Sequence, residues 1–297
     1  MNILKKINRV FHGGTWCVAL KEKVCNSYKL IPNLKGVWFA DPFIIEKEGE
    51  KYIFCEGYEE KKDIGCIYCI REVNNTYVYT KIIENPYHMS YPYVFKYKNI
   101  YYMIPETSEN KTIELYQCIS FPYSWKKVKN LVTGVACVDT NILFSKKGIY
   151  LFTQTIDSKI KELVVYTLNF KTYETEKVFS ITDVNNEQRN GGAFFEQEGT
   201  LLRVCQDSSN IYGEKLWIKE ITLKNGAYHE KNLRSISVDD FKIKSTLSNS
   251  VFSRVHTYNQ SENYEIIDVH TDKFDFFKPY KKLRALCIEI KRKDVRY

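Results

Sequence analysis

The sequence predicts an all-β chain folded as a five-bladed β-propeller with four-stranded blades, the last blade closed by an N-terminal strand. Three observations predict it. One segment recurs at intervals of about 50 residues. A further alternating strand follows each copy. The composition, with 23 Tyr and 17 Phe against only 13 Gly and 7 Pro in 297 residues, favours strands over helices.

The repeat begins at residues 40–56, ADPFIIEKEGEKYIFCE, whose apolar halves flank a Glu-Gly turn. It aligns without a gap on residues 90–106, SYPYVFKYKNIYYMIPE, on 138–154, VDTNILFSKKGIYLFTQ, and on 190–206, NGGAFFEQEGTLLRVCQ. A looser fifth copy, VHTYNQSENYEIID, ends at Asp268. The following strands read IGCIYCIREV, KTIELYQCIS, KELVVYTLNF, EKLWIKEITL and, near the C-terminus, LRALCIEIKR. After each of the first four comes a weaker edge segment such as TYVYTKII. The expected organisation is a single domain over 1–297, with blades near 38–86, 87–134, 135–185, 186–240 and 245–297. The fifth unit stops after its third strand, and the N-terminal run at 15–22 supplies the missing one. A β-sandwich would not explain the constant period.

The first strand of each blade lines the central channel, so equivalent positions form rings about the axis. The opening column holds Asp41, Tyr91, Asp139 and Gly191, with His256 near the fifth position; the closing column holds Glu56, Glu106, Gln154, Gln206 and Asp268. Antiparallel pairing about the turn at 48–49 sets Asp41 opposite Glu56, Tyr91 opposite Glu106, Asp139 opposite Gln154 and Gly191 opposite Gln206. The residues between are apolar and are expected to pack blade against blade. Polar ends in every copy therefore gather at one mouth of the channel. Acids and amides there hydrogen-bond hydroxyls, and aromatic faces stack on sugar rings. The bland alternative is that these side chains only satisfy strand-end backbone groups. Two facing carboxylates are expected to titrate as a coupled pair, one of them raised, unless Arg189 intervenes.

The candidate catalytic residues are Asp41, Asp139, Glu56, Glu106 and His256. The candidate substrate-binding residues are Trp38, His88, Tyr91, Arg189, Gln206, Asp207 and Tyr212. Gln206-Asp207 with Tyr212-Gly213 either binds hydroxyls or shapes a turn. No cofactor is required by any motif, although Asp41, Glu56 and Asp139 could hold a divalent cation at the acidic mouth.

The net charge of +8 is modest, and part of it lies in Lys5, Lys6 and Arg9 and in residues 278–296, KPYKKLRALCIEIKRKDVR. A solvated basic face is the simple account; an anionic membrane or a phosphate-bearing substrate is the sharper one. Nucleic acid is not expected, for want of any motif. No apolar run approaches the roughly 20 residues of a membrane span, and the basic N-terminus lacks the apolar core of a signal peptide. The nine cysteines are odd in number and lack framework spacing, which suits reduced thiols. Cys66 and Cys69 share a strand on opposite faces, a poor zinc or redox pair. A cytoplasmic protein, peripheral at the inner membrane face, is expected.

The motifs WFADPF, HMSYPYVFKYKNIYYMIPETSENKTIELYQC, FPYSW, RNGGAFFEQEGTLLRVCQD, YGEKLWIKEI and HTYN resemble the propeller domain at the N-terminus of plant glucosamine inositolphosphorylceramide transferases. That domain also occurs in bacterial proteins associated with surface polysaccharides. The resemblance covers roughly residues 15–290. More distantly, ADP at a blade's first strand is similar to the five-bladed furanosidase-like hydrolases, including glycoside hydrolase family 43. That likeness implies a base at Asp41 and a second, orienting Asp at Asp139. The general-acid Glu of those hydrolases has no counterpart, because the fourth blade begins Arg189-Asn-Gly-Gly192; Glu56, Glu106 or His256 would have to replace it.

Three functions follow from the residues and the resemblance together. The first is a glycosyltransferase in cell-surface polysaccharide or glycolipid assembly, taking a sugar or nucleotide-sugar substrate and approaching a lipid-linked acceptor. In it Asp41 activates an acceptor hydroxyl, Asp139 orients it and Arg189 faces phosphate. The second is a glycoside hydrolase using Asp41 with Glu56 or Glu106. The third is a non-catalytic glycan-binding propeller, since in the plant proteins a separate C-terminal domain carries transfer.

Overall fold

The computed structural model describes residues 12–157, 160–224, 227–244 and 251–274, together with Tyr280. Short alternating strands joined by tight turns give five sheets around a common axis, antiparallel but for one short parallel pair at the outer edge of the last. The first blade is a meander of Val37–Lys47, Glu50–Glu59, Ile64–Val73 and Thr76–Ile83. The second runs Ser90–Tyr97, Ile100–Thr107, Thr112–Ser120 and Ser124–Thr133, and the third Cys137–Ser145, Gly148–Thr155, Glu162–Asn169 and Glu174–Thr182. In the fourth, Arg189–Asn190 and Phe195–Gln197 share the inner edge beside Thr200–Asp207, Lys215–Lys224 and Ala227–Ile236. The five-bladed all-β architecture is the one the repeat predicts.

Closure differs in detail. The N-terminal strand His12–Glu22 pairs along its whole length with Tyr264–Phe274, from His12 opposite Phe274 to Glu22 opposite Tyr264. It therefore takes the third place in the last blade rather than the fourth. Tyr28–Leu30 lies outside it, paired in turn with Ile243–Lys244. The segment LRALCIEIKR, expected to be that third strand, lies outside the described residues, as do Lys5, Lys6 and Arg9 and all of 278–296 but Tyr280.

The hydrophobic core is divided among the blade interfaces. Phe54, Ile67 and Cys69 of the first blade meet Met89, Val94 and Met103 of the second; Tyr93, Ile104 and Leu115 meet Ile142, Leu151 and Leu168. Phe152, Leu163 and Val165 meet Ile221, and Val204, Leu216 and Ile218 meet Ala19, Ile267 and Val269. Val18, Leu20 and Ile266 close the ring on Phe39, Ile53 and Cys55. Period-two alternation along each strand gives both faces an apolar set, and each face finds its partner on the next sheet. Buried Cys55, Cys66, Cys69, Cys137 and Cys205 serve this packing as unpaired thiols. Among the described residues no helix is long and apolar enough to cross a membrane.

A chain of hydrogen bonds near the axis joins all five blades. The Tyr91 hydroxyl donates to Asn141 Oδ1 at 2.9 Å and accepts from the Gly192 N–H at 2.9 Å. Asn141 Nδ2 donates to the Gly192 carbonyl at 2.6 Å. The Ala193 N–H donates to Asn259 Oδ1, and Asn259 Nδ2 donates to the Pro42 carbonyl, both at 2.7 Å. Gly192 is required here: it has φ 151°, and a Cβ would sit 1.9 Å from the Tyr258 carbonyl oxygen.

Candidate functional site

Just above that girdle the first strands are irregular in the same way in three blades. The register passes from Phe43 opposite Phe54 to Ala40 opposite Glu56, so Asp41 and Pro42 together face Cys55. The second blade goes from Tyr93–Ile104 to Ser90–Glu106, and the third from Asn141–Phe152 to Val138–Gln154. Each inserted residue lies in the left-handed region: Asp41 at φ 50°, Tyr91 at 44° and Asp139 at 48°. Positive φ is uncommon for Asp and a marked outlier for Tyr, and such strain concentrates where a side chain must be re-aimed. The expected pairing of Asp41 with Glu56 is thus displaced by one residue: Ala40, Ser90 and Val138 stand opposite Glu56, Glu106 and Gln154. In the fourth blade Arg189, not Gly191, pairs with Gln206.

The mouth contains a hollow of about 210 Å³ lined by Trp38, Asp41, Glu56, His88, Glu106, Arg189, Tyr212 and His256, together with Trp16, Tyr58 and Ser90. Eight sequence-selected residues meet there. Four others do not line it. Asp139 is wholly buried behind Arg189, whose Nε donates to Asp139 Oδ2 at 2.5 Å and whose Nη2 donates to Oδ1 at 3.2 Å. Gln206 Nε2 donates to the same Oδ2 at 2.8 Å, while Gln206 Oε1 is buried without a hydrogen-bond partner among the described residues. The Tyr91 ring packs edge-on to Phe43, so it is girdle rather than a stacking surface. Asp207 accepts from Ser209, Trp217 Nε1 and Lys215 and knots the turn that follows it.

Charge within the hollow is matched locally. His88 Nδ1 accepts the Gly65 N–H at 3.0 Å, which leaves Nε2 to face Glu56 Oε1 at 3.2 Å. Glu56 is therefore partnered by an imidazole and not by Asp41. Burial alone would lower the His88 pKa, but the Glu56 contact outweighs it and the net direction is upward. Arg189 Nη2 also reaches Glu106 Oε2 at 3.3 Å. Its guanidinium lies over the Tyr212 ring, 5.5 Å from the centroid.

Asp41 is the group most altered by its surroundings. Burial raises its carboxyl to about 7; His256 pulls the other way, and Asp139, Glu56 and Asp268 add to the rise. Its Oδ1 accepts the Thr257 hydroxyl at 2.9 Å, and its Oδ2 accepts the Tyr91 N–H at 3.3 Å. For Asp139 burial again pushes upward, opposed by Arg189. His256 stacks on Trp16 with ring centroids 3.8 Å apart. Trp38 stacks on Tyr58 at 4.6 Å and 14°.

A divalent cation has little to hold here. Asp41, His256 and Asp268 bring ligand-type atoms within 4.8 Å of one another. Both Asp268 oxygens, however, are already filled by N–H donors: Oδ1 by the His256 and Thr257 amides, Oδ2 by the Asp41 amide and the His256 ring. Among the described residues, Asp41, Glu56 and Asp139 do not converge on such a spacing. Two lining residues do not stand out in the sequence: Trp16, which entered only as part of a closing strand, and Tyr58, opposite Trp38 in the second strand of the first blade. In the sequence Asp268 falls in the closing column without a role.

A five-bladed propeller with an acid-rich, aromatic-edged mouth defines the class. Within it, the model of the family "Glucosamine inositolphosphorylceramide transferase 1, N-terminal" matches residues 5–264, and the chain belongs to that family. Glucosamine inositolphosphorylceramide transferase 1 of Arabidopsis thaliana is 26% identical over 230 residues, covering 73% of this chain and 30% of that protein. Its counterpart in Oryza sativa subsp. japonica is 29% identical over 194 residues, covering 61% and 26%. The chain thus spans less than a third of these relatives. Among solved structures, a thermostable family-43 glycoside hydrolase superposes with TM-score 0.53 at 12% identity, covering 82% of this chain and 90% of that one. A family 117 glycoside hydrolase from Zobellia galactanivorans gives 0.53 at 11%, covering 91% and 92%. These likenesses concern the fold alone.

Proposed function

We propose that the chain is a carbohydrate-active protein of glycolipid or cell-surface glycan assembly whose channel mouth seats the acceptor sugar of a glycosyl transfer. The observation that carries this reading is Asp41: a buried carboxyl raised to about 7 on the wall of a hollow that also presents two aromatic stacks. A base with a pKa near the working pH withdraws a hydroxyl proton most effectively. Trp38 offers a ring face, and Glu56 and Glu106 accept from sugar hydroxyls. Membership in a family named for a sugar transferase supports the same reading.

The hollow suits an acceptor better than an activated donor. Asp41, Glu56 and Glu106 line it, Asp139 and Asp268 lie buried behind its wall, and Arg189 is already tied to Glu106 and Asp139. A nucleotide diphosphate would find the cations there already paired, Arg189 with Glu106 and Asp139, His88 with Glu56 and His256 with Asp268. Arg189 accordingly acts as a brace between Glu106 and Asp139, and the body of the donor diphosphate stays outside the hollow, with only its leaving oxygen reaching in. A nucleotide-sugar donor places the reaction on the cytoplasmic side, where a lipid-linked acceptor meets it at the membrane surface.

The test is incubation of the full chain with nucleotide sugars and monosaccharide or glycolipid acceptors. Acceptor-dependent nucleotide release, lost in Asp41→Asn, is the expected result. Release of free sugar from a glycan without nucleotide would replace transfer by hydrolysis. Sugar binding without turnover, indifferent to Asp41→Asn, would make the propeller a binding module.

A further inference from the structure

We propose that Asp268 is a positioning residue that sets two reacting groups at once, fixing the ring of His256 with its proton on Nδ1 and pinning the backbone of Asp41. The inference rests on the acceptor-site reading for its chemistry but on geometry alone for its structure. Asp268 is fully buried, and four donors converge on it. The His256 ring Nδ1 lies 2.7 Å from Oδ2, and the Asp41 N–H reaches the same oxygen at 2.9 Å. The backbone N–H groups of His256 and Thr257 donate to Oδ1 at 3.1 and 2.9 Å.

A carboxylate only accepts, so the short ring contact assigns the Nδ1 proton to His256. The other nitrogen, Nε2, takes no hydrogen bond from the described residues, and the ring lines the hollow. Trp16 covers one face of the imidazole, and Tyr212 stands edge-on at 5.2 Å. Gly213 permits this closeness: at φ 69°, a Cβ there would lie 2.9 Å from the Trp16 ring and 3.2 Å from His256 Cβ. The ring is held by its acceptor and by its stacking partner together.

The arrangement gives the site a second proton-handling group beside Asp41. The acceptor hydroxyl loses its proton to Asp41 as its oxygen bonds to the donor's anomeric carbon and the bond from that carbon to the diphosphate oxygen breaks, the nucleotide leaving with the electron pair. The imidazolium of His256 gives its Nε2 proton to that leaving diphosphate oxygen, and the neutral ring keeps its Nδ1 proton directed at Asp268 Oδ2. The charged groups bearing on that ring are Asp268 and Asp41, which favour the imidazolium, and Arg189 and His270, which oppose it. Burial also opposes it, yet the two carboxylates prevail and the His256 pKa lies above its ordinary 6.5.

Long-range proton–nitrogen NMR of the full chain, labelled at histidine nitrogens and titrated from about pH 5 to 9, tests this directly, with the His256 signals identified by their loss in His256→Gln. The expected wild-type result is an Nδ1–H tautomer when neutral and a midpoint above 6.5. In Asp268→Asn the ring should move to the Nε2–H tautomer with a lower midpoint, and turnover should fall by roughly 10²-fold with little change in sugar affinity. A wild-type ring in the Nε2–H form, or an unchanged titration in a folded Asp268→Asn, overturns the proposal. Should that variant not fold, the wild-type tautomer alone decides. Correct NMR behaviour without any sugar turnover would instead count against the acceptor-site reading.

Discussion

Arg189 of the fourth blade and Asp139 of the third form a two-point ion pair, with Nε 2.5 Å from Oδ2 and Nη2 3.2 Å from Oδ1. Asp139 is fully buried, so its charge has no recourse to water if the pair is broken. Arg189→Gln should therefore destabilise the fold by about 3–5 kcal/mol, while the double variant Arg189→Gln/Asp139→Asn should recover most of that loss. Urea unfolding of the single and double variants measures both. Equal losses in the two would show that the unpaired Asp139 charge is not what destabilises the single variant.

Asp41 makes stability depend on pH with a definite sign. Its folded pKa, about 7, stands above the 3.8 of the free carboxyl, so between those values the native state binds more protons than the unfolded chain. Stability then falls as pH rises through that window and levels off above it. His256 acts in the same sense higher up: its raised folded pKa lends stability present below 6.5 and lost as pH climbs through the folded value. Denaturation midpoints from pH 4 to 9 should decline in the wild type and decline less in Asp41→Asn. Activity that needs the Asp41 carboxylate should rise through about pH 7.

Gly65 makes room for the contact between His88 and Glu56. A Cβ there would stand 2.6 Å from the Met89 carbonyl oxygen, 2.7 Å from His88 Cε1 and 2.8 Å from Glu56 Oε1. Gly65→Ala should cost about 1–3 kcal/mol by overpacking and should expel the imidazole from the rim. Thermal unfolding reads the first effect, and the His88 titration, shifted back toward its ordinary range, reads the second.

Trp38 lies parallel to Tyr58 at the rim and is part-exposed. If a sugar ring packs on it, Trp38→Ala should weaken binding by about 1 kcal/mol, or roughly fivefold. Calorimetric titration with monosaccharides would show this, and unchanged affinity would move the stacking surface elsewhere.

Much of this was legible in the chain because propeller physics repeats itself. Each blade needs apolar residues on both faces and polar ones at the rim, so the columns holding Asp41, Glu56, Glu106 and His256 stand out from a single sequence. What escaped depended on one extra residue in a strand. The bulge at Asp41, Tyr91 and Asp139 changes pairing without changing the spacing of the repeat, and it turned Tyr91 inward to Asn141. Asp139 was legible as polar but not as screened, because screening depends on the reach of Arg189. Trp16 was hidden for another reason: its place in the hollow comes from the far end of the chain.

That last circumstance bears on biosynthesis. Trp16 is synthesised well before His256, yet the hollow needs their rings face to face. A nascent chain can complete its middle sheets one after another while its leading strand waits for Tyr264–Phe274 to appear. Until then the hollow lacks the stack of Trp16 on His256, so its wall is completed only once the last blade has been made.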